Sequence, residues 1–125
     1  MFQIASYETF QDGHAIFKEG DNGDWIYVVE EGKVEISKKM DDRKIVIEIL
    51  KTGDIFGEMA YIDKTPRSAT ATAIGTAVVG IIDREFFDKE FNKLSADFQQ
   101  ILKTVALRLR KNTGKWLDLQ KRTGD

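Results

Sequence analysis

With 125 residues, 42% of them hydrophobic, the chain is long enough for one globular domain with its own apolar core and too short for two. The absence of cysteine excludes disulfides, thiolate zinc sites, cysteine nucleophiles and cysteine-held iron–sulfur clusters, and permits a reducing, cytoplasmic location. The formal charge of −2 is uneven: residues 101–125 hold seven Lys or Arg against two Asp or Glu, which leaves the first 100 residues at −7, no platform for nucleic acid.

The N-terminal stretch MFQIASYETFQDG lacks a basic segment followed by a long apolar core. No later apolar run approaches the ~18–20 residues of a membrane helix, so a soluble, unexported protein is expected. From Tyr7 to Asp83 short β-branched and aromatic runs alternate with turn signals at Asp12-Gly13, Glu19–Gly23, Glu31-Gly32, Met40–Asp42, Thr52–Asp54 and Gly75. The runs include Trp25–Val29, Val34–Ser37, Ile45–Leu50, Ala69–Ala73 and Ala77–Ile82. About eight strands are expected, enough for two facing antiparallel sheets in a sandwich, roll or barrel over residues 7–82.

After Ile82 the hydrophobic period changes. Asp83 is placed to cap a helix over residues 84–94, and Ser95 a second over 96–121. In the second helix Leu102, Val105, Leu109, Asn112, Trp116 and Leu119 recur at 3-4-3-4-3 spacing, the seam of a short coiled coil. Such a stripe serves a homodimer or packs on the chain's own β-domain. Gly114 costs that helix on the order of 1 kcal/mol.

The segment that carries chemistry runs from Phe56 to Thr70. Gly57 admits close backbone approach to a ligand, and Glu58-Met59-Ala60 can form one helical turn whose free N–H groups face an anion. Pro66 holds the following residues extended. Arg67 presents a rigid fork of donors to phosphate oxygens, beside the Ser68 hydroxyl and the amides of Ser68 and Ala69. One acid and one arginine in the same cradle point to a ribose phosphate, Glu58 accepting from a sugar hydroxyl. Taken singly, Gly57 is a turn residue, Glu58 a favourable charge at a helix start and Arg67 an exposed loop residue.

Together, Phe56-Gly57-Glu58-Met59-Ala60 and Pro66-Arg67-Ser68-Ala69-Thr70 resemble the phosphate-binding cassette of cyclic nucleotide-binding domains, the family of catabolite activators, protein kinase A regulatory subunits and cyclic nucleotide-gated channels. Phe17–Asp21, Tyr27–Val29 and Thr52–Asp54 agree with the family as well, and the resemblance covers Tyr7 to Leu119. It implies a mainly β fold with flanking α: an eight-stranded antiparallel β-roll of the double-stranded β-helix or jelly-roll type, followed by two C-terminal helices, all in one domain over 1–125. It also implies a bound cyclic nucleotide, no cofactor beyond that ligand and no metal. Glu58 would take the ribose 2′-hydroxyl and Arg67 the equatorial phosphate oxygen, with Gly57, Ser68 and Ala69 adding backbone or hydroxyl bonds. Asn112 and Thr113 fall where the last helix touches the base, and a shift of one turn would present Leu109 or Trp116 instead. Ser68 after the arginine favours cAMP over cGMP.

The resemblance implies binding without catalysis, since no paired acids, activated nucleophile or metal cluster stands in the sequence, and His14 falls in a turn. The chain stops at Asp125, so a helix-turn-helix after the long helix is not expected in it, and Met1 favours a natural start. The rival readings are a cassette-like dimerisation or docking module that binds no nucleotide, and a sensor of another ligand such as a cyclic dinucleotide.

Overall fold

The computed structural model describes residues 2–123, with side chains described through Gly114. Nine elements follow one another: β1 (Ile4–Phe10), β2 (Ala15–Phe17), β3 (Tyr27–Met40), β4 (Arg43–Leu50), β5 (Ile55–Phe56), α1 (Glu58–Asp63), β6 (Thr70–Ile82), α2 (Arg84–Asn92) and α3 (Ala96–Thr123). The sheet runs β1-β6-β3-β4, with β2 on β6 and β5 on β3, and every pairing is antiparallel.

The described residues thus form six strands in one hydrogen-bonded sheet, where the sequence led to about eight in two. Runs separated by Glu31-Gly32 and by Gly75 are halves of two long strands, β3 and β6. The register between these strands slips at Val29/Glu31 and Glu31/Lys33, and pairing then resumes from Lys33↔Ile74 to Ser37↔Thr70. Bulges bend a strand without ending it. Gly32 is required at the bend: its φ is +79°, and a Cβ there would lie 2.4 Å from the Thr76 carbonyl oxygen.

Alternating apolar positions of β3 and β6 meet between the two halves of the bent sheet. Val29, Val34, Ala71, Ala73, Ala77 and Val79 are almost fully buried, with Tyr27, Leu50, Phe56 and Ile81 around them. Tyr27 and Phe56 stack at 5.2 Å between ring centroids, and Phe17 leans on both at 5.9 Å. A second cluster, Ile26, Tyr61 and Ile82 with Ile4, Phe87 and Phe91, seats α1 and α2 against the sheet.

Both helix caps fall where the sequence placed them. The Asp83 carboxylate accepts from the Phe86 amide at 3.2 Å, and the Ser95 hydroxyl from the Phe98 amide at 3.2 Å. Helix α2 ends two residues early because Lys93 and Leu94 bond three residues back, to Glu90 and Phe91, in a tightened last turn. The cassette helix α1 is longer than the single turn expected. Lys64, at φ +57°, closes it by donating to the Ala60 carbonyl at 3.0 Å.

The face α3 turns inward is rotated from the expected seam. Ala106 is buried and Leu102 half-buried, whereas Val105 and Leu109 are 48% and 51% exposed and Asn112 is exposed. Trp116 and Leu119 of that seam lie outside the described residues. The solvent stripe is instead Phe98, Ile101, Val105 and Leu109. No described helix is long and apolar enough to cross a membrane.

Candidate functional site

A cavity of about 270 Å³ opens between the cassette, the inner face of β3 and β4, and α3. Its cassette wall is made by Phe56, Gly57, Glu58, Met59, Ala60, Arg67, Ser68 and Ala69, all singled out in the sequence. From α3, Thr113 lines it too. Asn112 does not, and Leu109 and Arg110 do. Pro66 also stands apart from the lining, and its carbonyl accepts from Arg110 Nη1 at 3.0 Å.

Arg67 is the best-held residue of the site, with only 5% of its surface exposed. Its backbone is fixed on both sides: the amide donates to the Asp21 carbonyl at 2.9 Å, and its carbonyl accepts from the Gly20 amide at 2.8 Å. The guanidinium lies 4.2 Å above the Phe17 ring. Nη1 donates to the Gly57 carbonyl and Nη2 to the Trp25 carbonyl, each at 2.8 Å. A guanidinium carries five N–H donors, so these two bonds fix its orientation without using up its donors. Burial draws its pKa down from the usual arginine value, while Tyr27 and nearby aspartates work the other way.

Gly57 makes that arrangement possible. Its φ is +84°, and a Cβ would sit 2.7 Å from Arg67 Nη1 and 2.9 Å from the Trp25 carbonyl oxygen, in the space the arginine occupies. Helix α1 starts immediately afterwards, and its first-turn residues Glu58, Met59 and Ala60 line the cavity. Glu58 is half-buried on this wall. Burial raises its pKa above the usual glutamate value and the Glu48 carboxylate adds to the rise, against its own amide and Arg67.

Several lining residues come from strands and were not among the site candidates named from the sequence: Phe17, Ile36, Lys38, Ile47, Glu48, Leu50 and Ile55. Ile47 and Glu48 are neighbours in sequence, yet both line the cavity. The ladder explains this, since Ile36 pairs with Glu48 and Ser37 with Val46, so that Ile47 is the extra residue of a bulge. Strict alternation would have turned one of the two outward. No sequence signal marks a bulge there.

Arg110 was also missed. It sits four residues beyond the buried Ala106, on the inward face of α3, and forms an ion pair with Asp63 at the end of α1. Among the described residues no group of three or more His, Asp or Glu could hold a metal ion. His14 is exposed.

Comparison with known proteins matches residues 7–93 to the cyclic nucleotide-binding domain. The chain is 32% identical over 111 residues to the CRP-like cAMP-activated global transcriptional regulator of Mycobacterium tuberculosis, which is 88% of this chain and 50% of that protein. It is 36% identical over 99 residues to the cAMP-dependent protein kinase regulatory subunit of Dictyostelium discoideum, 76% of this chain and 29% of that one. The EAL enzyme Bd1971 in its cAMP-bound form aligns with a TM-score of 0.80 and 34% identity over 93% of this chain and 31% of its own. In its cGMP-bound form it aligns at 0.78 and 32%, over 84% and 28%. The chain therefore spans half or less of the length of each of these relatives.

Proposed function

This chain belongs to the cyclic nucleotide-binding domain family, and we propose that it is a regulatory domain that binds cAMP in the cavity beneath α3 without turning it over. The observation that carries the reading is the buried Arg67, held by two backbone carbonyls and lining the same cavity as Glu58, Ser68 and the first turn of α1. A cyclic phosphate and its ribose present an anion and a free 2′-hydroxyl about as far apart as one cassette can span. Arg67 takes a phosphate oxygen, and the Ser68 hydroxyl with the amides of Ser68 and Ala69 takes the remaining phosphate acceptors. Glu58 accepts from the 2′-hydroxyl.

The base then lies toward β3, β4 and α3, among Ile36, Ile47, Leu109 and Thr113. These give apolar faces and one hydroxyl, which suits a purine. Leu109 and Thr113, rather than Asn112 and Thr113, are the α3 residues that meet it. Ser68 favours cAMP over cGMP. The domain signals through α3: ligand contacts on Leu109 and Thr113 bias the placement of the helix, and a helix is moved only by such differential contact. The exposed stripe Phe98, Ile101 and Val105 supports a second copy of the chain as the partner of that helix.

Calorimetric titration of the nucleotide-stripped chain with cAMP and cGMP tests the reading. Saturable binding in the micromolar range or tighter, stronger for cAMP, is expected, along with added hydrogen-exchange protection of residues 96–114. A folded chain silent toward both nucleotides would instead support a docking module or a different ligand.

A further inference from the structure

Arg110 makes three contacts that tie α3 to the segment leading into Arg67. Its guanidinium grips the Asp63 carboxylate through Nε and Nη2, the latter at 3.0 Å, while Nη1 donates to the Pro66 carbonyl at 3.0 Å. The pair is sheltered: the Asp63 side chain is 1% exposed and that of Arg110 17%. Burying two charges costs about as much as their attraction returns, and a well-packed apolar pair is often as stable. What the ion pair supplies beyond an apolar pair is direction.

Its contacts cover the connection between α1 and Arg67. Asp63 Oδ1 also accepts from the Thr65 amide at 3.1 Å and the Thr65 hydroxyl at 2.7 Å, and Lys64 is locked in its left-handed cap. Residues 63–66 are thus each held by Asp63, by Arg110 or by the end of α1, and the next residue is Arg67. On the other side of the contact, Leu109 and Thr113 flank Arg110 on α3 and line the cavity with it.

We propose that Asp63 and Arg110 are a positioning pair for nucleotide binding: one contact fixes the loop that delivers Arg67 and fixes the height of α3 over the cavity. The proposal rests on the nucleotide-binding reading and adds residues outside the phosphate cassette to it. Burial pushes the Asp63 carboxyl pKa up, but the bonds from Arg110 and Thr65 outweigh it and hold it below the usual aspartate value, so the pair is ionised at neutral pH.

Charge and geometry pull in opposite directions here, which makes the test sharp. Asp63→Asn removes a negative charge four residues before Arg67, so electrostatics alone would favour cAMP binding. A positioning role requires the same change to weaken it. Arg110→Lys keeps the charge but loses the fork, so electrostatics alone predicts no effect.

The experiment is calorimetric titration of the full chain with cAMP for wild type, Asp63→Asn, Arg110→Lys, Arg110→Gln and the Asp63→Asn/Arg110→Gln double variant, with dissociation rates and thermal melts alongside. Asp63→Asn and Arg110→Gln are each expected to weaken binding about tenfold through faster dissociation, Arg110→Lys somewhat less, and the double variant no more than either single change, because all break one contact. Unchanged or tighter binding by Asp63→Asn, unchanged binding by Arg110→Lys, or losses that multiply in the double variant would each overturn the proposal. Should Arg110→Gln fail to fold, the near-isosteric Asp63→Asn and the charge-preserving Arg110→Lys still decide it. Silence of the wild-type chain toward cAMP would remove the nucleotide-binding reading and this proposal with it, whereas wild-type binding with unaffected variants removes the proposal alone.

Discussion

The sheet and the cassette face are held by different forces. Between β3 and β6 the buried groups are small and apolar, Val29, Val34, Val79 and three alanines, and their contribution scales with area removed from water. Around the cassette the buried groups include Arg67 and the Asp63 carboxylate, with the half-buried Arg110 beside them, held by a handful of directed bonds. The contrast teaches that a substitution in the sheet should be felt by the whole fold and barely by the ligand. Most substitutions in the cassette should do the reverse.

Arg67 belongs to both regions, and replacing it should break the division. Arg67→Ala is expected to weaken cAMP binding by about 2–5 kcal/mol through the lost phosphate contact. It should also lower unfolding free energy by about 1–3 kcal/mol, because the Gly57 and Trp25 carbonyls lose their buried donor. Calorimetry and urea denaturation on one sample measure the two losses. A variant of unchanged stability would place Arg67 with the ligand alone.

Val79→Ala sharpens the contrast from the sheet side. It should cost about 2 kcal/mol in urea denaturation by leaving a small cavity, with affinity for cAMP kept within about twofold. Glu58→Gln does so from the cassette side. About 1 kcal/mol of affinity should be lost for cAMP and almost none for its 2′-deoxy analogue, with the urea midpoint unmoved. Equal losses for the two ligands would remove Glu58 from the ribose.

The raised pKa of Glu58 gives that role a pH signature. A raised carboxyl takes up its proton at a higher pH than a free glutamate, so cAMP affinity should begin to fall, on acidification, above the ordinary glutamate range near ~4.3. The 2′-deoxy analogue should not share this part of the profile. Smallest of all, Asn112→Ala should change affinity by less than about 0.5 kcal/mol, as befits an exposed side chain off the cavity wall.

The cassette was legible because its chemistry is contiguous: Gly57, Glu58, Arg67, Ser68 and Ala69 lie within thirteen residues and meet one cavity wall. Of the opposite wall only Thr113 and Leu109 stood among the base contacts expected from the sequence. Glu48 reaches it through a bulge that only the partner strand defines, and Arg110 reads as one more cation on a basic helix until Asp63, 47 residues earlier, is placed beside it. Strand positions were read well from Tyr27, Val34, Ile45 and Ala77 onward, but Gly32 and Gly75 were taken for ends of strands. A glycine announces a left-handed backbone, and whether the ladder resumes beyond it depends on residues far away in sequence. The helix caps Asp83 and Ser95 were legible because capping is local.

The pairing of β1 with β6 has a consequence in time. Ile4 meets Ile82 and Phe10 meets Ala77, residues 67 to 78 positions apart, and β6 in turn needs β3 as its other neighbour. A ribosome releases the first strand long before its partner exists, and loop closure over such distances is slow, so folding on a scale of ~milliseconds to seconds is expected. Until then β1 waits as an unpaired edge, and the birth of the domain, rather than its mature stability, is when it is most open to mispairing with another nascent copy.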